Sequence, residues 1–432
     1  MFQLPGMIFT DRVLDERRTR VASALPLGNA LLVVGAGEPV PLPENTDQTY
    51  PFRAHTEYVF LAGLDHEGGV VVYDPRDRTW TSFVPEVTES ARVWEGRTQL
   101  PGALLPHFPA WLNARSGRPV AALGAPVAGV NADATLSATI RTHLHHARRP
   151  KDEAELALLR RAASATAAGY AAVLPFLRAG QTERALQIEL EAAFFRAGGT
   201  RTGYASIVGS GPNAAVLHFD PTERVLREGE FVLIDAGAEV NRYVCDVTRT
   251  YVVGHKPTPF QRDLYQVVLS AQQRAVAACR PGAEWKEIHL RCAVGMTAGL
   301  VDLGVMRGSA ESLVDQEAHT LFFPHGLGHL VGLGVRDASG TLPGRNKDPR
   351  PSLKNLRTDL PLAPGYVITV EPGLYFIPAL LNDPARRERF RDCVNWEVAE
   401  QHLEIGGVRI EDNVVITDGE PENLTEAIPK TL

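Results

Sequence analysis

FVLIDAGAEVNRYVCDVTRTYVV, residues 231–253, sets two apolar, β-rich runs around a short polar turn, and each run carries an acid in its interior. The first run, FVLIDAG, holds Asp235; the second, VCDVTRTYVV, holds Asp246. A second pair of the same form lies downstream: YVITVEPGLYF (366–376) with Glu371, and GGVRIEDNVVIT (406–417) with Glu411. Each pair follows two helical patterns. Residues 152–178 are rich in Ala and Leu, with Gly180 as a stop, and 182–196 end at Gly198-Gly199. Residues 258–279 open on Thr258-Pro259 and stop at Pro281-Gly282, and 284–303 follow. The second part therefore reads helix, helix, strand pair, twice over, a duplication of structure rather than of residues. Two such halves place their sheets side by side with a cleft between them.

Upstream, ALLVVGAG (30–37) and GGVVVYDP (68–75) are short apolar runs closed by turn residues, as buried strands are. HLHHARRPK (143–151), polar and basic, is the expected boundary. The fold class expected is α+β: a smaller mixed α/β domain over 1–148, then a two-halved catalytic domain over 149–432. The 432 residues exceed one typical core, which agrees with this division. A formal net charge of −7 argues against nucleic-acid and anionic-membrane partners. The N-terminus lacks the pattern of a signal peptide, no apolar run reaches about 18 residues, and four scattered cysteines (Cys245, Cys279, Cys292, Cys393) suit reduced thiols in a cytoplasmic protein.

Carboxylates inside apolar runs are costly unless their charge is compensated. Two of them about 4 Å apart repel by roughly 4 kcal/mol at an effective dielectric near 20. Any one of the four is as well explained by a basic neighbour; four in two matched strand pairs are better explained by metal. PHGLGHLVGLG (324–334) offers His325 and His329 as nitrogen donors, flanked by glycines that allow close backbone approach. Four carboxylates balance two divalent ions, and an oxygen-rich set with one imidazole suits Mn(II), with Zn or Co as alternatives. Two such ions about 3.5–4 Å apart supply a nucleophile at neutral pH and polarise a carbonyl, which fits amide hydrolysis. Cys245 adjoins Asp246, but strand alternation turns it to the other face.

From about Lys151 onward the chain resembles the pita-bread metallopeptidases, among them aminopeptidase P, prolidase and methionine aminopeptidase. The resemblance rests on SIVGSGPNAAVLH, LIDAG, CDVTRT, PHGLGH, TVEPGLY and GGVRIEDNVVIT, in that order. DQTYPFRAHTEYVFLAG and RVWEG are similar to the companion N-terminal domain of aminopeptidase P and the longer prolidases, a domain methionine aminopeptidase lacks. The resemblance implies a pita-bread fold and a metal set of Asp235, Asp246, His329, Glu371 and Glu411. In it Asp235 holds one ion, Asp246 and Glu411 bridge, and Glu371 is also the general base. It implies that His218 hydrogen-bonds near the scissile amide. Tyr375 and Arg409 match positions behind the ligands, and Tyr375 is counted with the substrate-binding residues. Asp47 and Trp94 match positions that reach a neighbouring subunit's active site, which implies a homodimer or homotetramer; a surface acid and a core tryptophan are the plain alternatives.

One departure stands out. Seven residues after His329 the family pattern has a histidine in V-H-D, where this chain has Arg336 in VRD. Arg336 either stabilises developing negative charge, binds a substrate carboxylate, or weakens activity, since arginine exchanges no proton near neutral pH. Arg357 matches the arginine with which prolidases hold a dipeptide's carboxylate. The expected activity is removal of the residue before proline from peptide N-termini, with short peptides favoured; cleavage of Xaa-Pro dipeptides alone and a non-catalytic binding protein are the alternatives.

Overall fold

A computed structural model describes residues 7–44, 48–354 and 356–432. The chain forms two compact units, Met1–Arg148 and Arg149–Leu432. In the first, a five-stranded sheet runs in the order Ala103–Leu104, Thr79–Val84, Val70–Asp74, Leu31–Gly35, Val120–Gly124. Leu31–Gly35 pairs parallel to Val120–Gly124 and antiparallel to Val70–Asp74. Both central strands are buried along their whole length, as apolar runs of this kind require. The division between the units falls within the segment read as a boundary, after Arg148, and that segment is mostly helix. Ala134–Arg148 buries Ile140, Leu144 and Arg148, spaced one turn apart on one face, so HLHHAR closes the last helix of the first unit.

The second unit follows the helix, helix, strand-pair rhythm. Glu153–Val173 opens on a capping box between Asp152 and Glu155. It gives way to a 3₁₀ turn at Leu174–Phe176, because Pro175 cannot continue the helix. Glu183–Arg196 starts at the N-cap Thr182. In the second half, Pro259–Ala277 is capped by a Thr258–Gln261 box, and Trp285–Asp302 follows. Both halves set their helices against sheets: Ile207–Ser210, Phe231–Asp235 and Thr248–Val252 form one, and Val367–Val370, Asp412–Val415 and Glu422–Asn423 another.

The four runs read as continuous strands are broken, each at its acid. Phe231–Asp235 stops at Asp235, and Asp246 lies between Tyr243–Val244 and Thr248–Val252. Glu371 separates Val367–Val370 from Gly373–Tyr375, and Glu411 separates Gly407–Arg409 from Asp412–Val415. The causes are local. Pro372 has no N–H to give a ladder, and a Cβ on Gly237 would lie 1.7 Å from the Cys245 carbonyl oxygen, so only glycine fits that crossing. The AEVNRY turn is itself part of a hairpin, Ala238–Val240 against Tyr243–Val244, turned on Asn241 and Arg242 at φ 49° and 76°.

A seam joins the halves. Asp246 N–H donates to Asn413 Oδ1 (2.9 Å), and Asn413 Nδ2 donates to the Asp246 carbonyl (2.6 Å). Two residues on, Glu411 N–H donates to the Thr248 carbonyl at 3.0 Å. Two further on, Thr250 Oγ1 accepts from Arg409 N (3.1 Å) and donates to Arg409 O (3.0 Å). Arg249 lies fully buried beneath this seam and donates to the carbonyls of Thr248 (2.9 Å) and Glu411 (2.6 Å) and to Asp412 Oδ1 (2.8 Å).

Candidate metal centre

The broken strand ends point their acids at one place. Carboxylate oxygens of Asp235, Asp246 and Glu411 lie within 4.8 Å of one another. His329 Nε2 is 3.4 Å from Asp246 Oδ2 and 3.9 Å from Glu371 Oε1. The five expected ligands therefore converge, the four acids from strand breaks and His329 from the glycine-flanked loop. His329 follows Gly328, where a Cβ would lie 2.0 Å from the Thr369 carbonyl oxygen. Its backbone N–H is held by Thr369 Oγ1 at 3.0 Å. Its Nδ1 faces the Leu330 carbonyl at 3.1 Å, so Nδ1 donates and the Nε2 lone pair is turned to the acids, the tautomer a metal needs.

Electrostatics favour a cation here. Burial drives Asp235, Glu371 and Glu411 upward, and their neighbours add to it: Asp246 for Asp235, and Asp246 again for Glu371, which rises to about 7. Glu411 goes well above the usual carboxylate range through burial and through Asp246, Glu371 and Asp235. Burial lowers the His329 imidazole, but the contact with the Asp246 carboxylate, the charges of Asp246 and Glu371 and the bond to the Leu330 carbonyl together turn the net direction upward. A pocket that holds protons this tightly against its own acids has a donor set suited to divalent ions, and the residues fit them.

Arg409 ties the site together. Its Nη2 reaches Asp235 Oδ2 (2.5 Å), its Nη1 reaches Tyr375 OH (2.9 Å), and its Nε reaches Thr248 Oγ1 (3.0 Å). Thr248 Oγ1 in turn donates to Glu411 Oε2 at 2.7 Å. Tyr375 OH passes its proton toward His325 Nε2 (2.9 Å), because His325 Nδ1 is committed to the Gly326 carbonyl. Burial holds His325 neutral, its pKa lowered to about 3. Tyr204, not singled out from sequence, donates to the other oxygen of Asp235 at 2.6 Å.

All four acids and the His329 imidazole, with Arg409, His218, His325, Arg336 and Arg357, line a cavity of about 580 Å³. His218, Arg336 and Arg357 are exposed at its surface. Arg336 and Arg357 are neighbours: the charge of Arg336 acts, after burial, to lower the Arg357 pKa. Tyr375 is a correction. It is 0% exposed and does not line the cavity, so it supports Arg409 and His325 rather than meeting substrate. Cys245 is buried outside the lining, as expected, though through the strand break rather than alternation. Trp94 is 84% exposed on helix Glu89–Glu95 of the first unit, so it is no core tryptophan. Asp47 lies outside the described residues.

Residues 157–418 match the model of metallopeptidase family M24. The chain belongs to metallopeptidase family M24. Residues 14–110 match a second model, the N-terminal domain of aminopeptidase P. Relatives of this M24 chain include a probable Xaa-Pro aminopeptidase of Tuber melanosporum, 34% identical, covering 88% of this chain and 86% of that one. Another, from Botryotinia fuckeliana, is 32% identical over 94% and 92%. Among solved structures, Escherichia coli aminopeptidase P superposes with a TM-score of 0.80 at 28% identity, over 98% of this chain and 96% of that one. The Pseudomonas aeruginosa aminopeptidase gives 0.80 at 26%, with the same coverage. The pita-bread fold expected from the resemblance is thereby established.

Proposed function

We propose that this M24 metallopeptidase is an Xaa-Pro aminopeptidase, releasing the N-terminal residue from peptides with proline in second place. The observation that carries this is the convergence of Asp235, Asp246, His329, Glu371 and Glu411 in one cavity, in a chain matching aminopeptidase P along both units. The dipeptide-only alternative is not favoured, since the relatives are named Xaa-Pro aminopeptidases.

Asp235, Asp246, His329, Glu371 and Glu411 would hold two divalent ions, which when bound acidify water and polarise the scissile carbonyl. Mn(II) is the ion proposed, because the donors are oxygen-rich with a single imidazole. Arg409 and Tyr204 fix the plane of Asp235, and Thr248 fixes Glu411. Glu371 takes the proton from the attacking water, and His218 hydrogen-bonds at the scissile amide. Arg336 and Arg357 present guanidinium groups to the cavity, where a nearby C-terminal carboxylate pairs with them; short peptides are the favoured substrates. Exposed Val93 and Trp94 on one helix support a homo-oligomer, and unpaired, buried cysteines support a reducing, cytoplasmic setting. No helix among the described residues is long and apolar enough to cross a membrane.

The test is release of the free N-terminal amino acid from an Xaa-Pro-Xaa tripeptide by Mn(II)-loaded protein, alongside an Xaa-Ala-Xaa control. Cleavage of both at equal rates overturns proline specificity; cleavage of neither overturns the assignment.

A further inference from the structure

His218 stands on a surface loop, 211–222, whose two ends are held by a single buried carboxylate. Glu183 begins helix Glu183–Arg196 and is 0% exposed. Its Oε1 accepts from Ser210 N (2.8 Å), Ser210 Oγ (2.8 Å) and Asn213 Nδ2 (2.9 Å). Its Oε2 accepts from Thr222 Oγ1 (2.7 Å) and Thr222 N (3.2 Å). These five donors are all neutral. The Arg224 guanidinium makes no direct bond to Glu183 but reaches Ser210 Oγ (2.6 Å) and Glu230, close enough that the Glu183 charge helps raise its pKa. Between the pinned ends, Val216, His218 and Asp220 are exposed, and His218 and Phe219 line the cavity.

A buried carboxylate without a cation partner is expensive unless its lone pairs are filled. Capping the helix does not require it, since Thr182 already accepts from Ala185 N at 3.1 Å. Through its own two oxygens Glu183 joins Ser210 and Asn213, before His218, to Thr222, after it, and Arg224 braces the same ends from Ser210 Oγ to Thr222 Oγ1. We propose that Glu183 is a positioning residue for Xaa-Pro cleavage, setting the height and direction at which His218 meets the substrate. This rests on the reading that His218 contacts substrate.

The experiment uses full-length, Mn(II)-loaded protein and an Xaa-Pro-Xaa tripeptide. Glu183→Gln, Asn213→Ala and Thr222→Val are each made in the wild-type background and in a His218→Ala background. Hydrogen exchange of peptides spanning 212–221 and 231–253 is followed in parallel. The proposal expects faster exchange at 212–221 with 231–253 unchanged. It also expects a loss in kcat/KM on the order of tenfold in the wild-type background and almost none once His218 is absent. If Glu183→Gln does not fold, Asn213→Ala and Thr222→Val decide the matter alone. Equal losses in both backgrounds, or unchanged exchange at 212–221, overturn the proposal while leaving His218 in place. A His218→Ala variant as active as wild type removes the contact on which it rests, and the proposal with it.

Discussion

Glu411→Gln separates what the acids do for metal from what they do for the fold. The oxygens of Asp235, Asp246 and Glu411 lie within 4.8 Å of one another. Two unit charges at that distance repel by about 3.5 kcal/mol at an effective dielectric of about 20, so an ionised Glu411 facing both neighbours meets about 7 kcal/mol. Burial, together with that repulsion, moves Glu411 well above the usual carboxylate range in metal-free protein and so favours its protonated form. An amide has nearly the shape of the protonated acid, and its oxygen still accepts from Thr248 Oγ1 at 2.7 Å. The chelated variant should therefore melt at or above the chelated wild type. Metal tells the other half. At 100 times Kd a ligand adds about 2.7 kcal/mol. For a unit the size of Arg149–Leu432 this is a gain of about 5 °C in Tm. The variant should lose most of that gain, along with activity. The assay is scanning calorimetry of chelated and Mn(II)-saturated samples, with metal content measured on the same material. A chelated variant melting about 5 °C below chelated wild type would refute the reasoning, because it would make ionised Glu411 a structural partner.

Exhaustive chelation should abolish peptidase activity and Mn(II) should restore it; full activity in chelated, metal-free protein, checked by elemental analysis, rejects the centre. Arg336→Ala and Arg357→Ala should each cut kcat/KM on an Xaa-Pro-Xaa tripeptide on the order of tenfold while sparing a decapeptide, as removal of one charge-assisted contact does; equal losses on both lengths reject the carboxylate contact. Without metal, Glu371 has a folded pKa of about 7 against 4.5 ordinarily, so its share of stability is present below pH 4.5 and lost as pH rises through 7. Metal-free Glu371→Gln should accordingly gain in Tm relative to wild type across that window, and a constant difference contradicts it. In the first unit, Asp74, 2% exposed, accepts from Arg118 at 2.8 and 2.9 Å and from Arg115 at 2.7 Å. Asp74→Ala removes the buried carboxylate from two guanidiniums, leaving Arg118 on the Asn29 carbonyl and Arg115 on the Trp111 carbonyl and Asp77, and should cost about 3 kcal/mol in denaturant unfolding.

The acids were legible because a carboxylate within an apolar run contradicts its surroundings, and four such contradictions in matched pairs point to one cause. Their strand breaks were not legible. YVITVEPGLYF reads as one strand by composition; Pro372 marks a weak point in it, and the packing of Glu371 N–H against the Leu327 carbonyl, 2.8 Å away, shows that the ladder ends there. Tyr204 left no signal, since a tyrosine after a glycine in a loop reads like any other and its bond to Asp235 spans 31 residues of chain. His325 was visible as a nitrogen donor, but its partner Tyr375, 50 residues on, was not. Tyr375 itself was misplaced because sequence ranks residues by motif, whereas its depth beneath the cavity depends on Arg409 lying above it. The helix over HLHHAR was hidden by its polar face; of the two apolar positions that bury it, Ile140 precedes that stretch and only Leu144 falls within it.

The seam of Asp246 with Asn413, Thr248 with Glu411 and Thr250 with Arg409 makes the reactive centre a joint between two gene halves, neither of which owns it. Asp235 and Asp246 arrive with one half, and Glu371 and Glu411 with the other. Severing the backbone near 256–258, between strand Thr248–Val252 and helix Pro259–Ala277, would yield fragments that each hold two of the four acids and no complete donor set. Such fragments would be silent apart and active together, so hydrolysis would report their reunion.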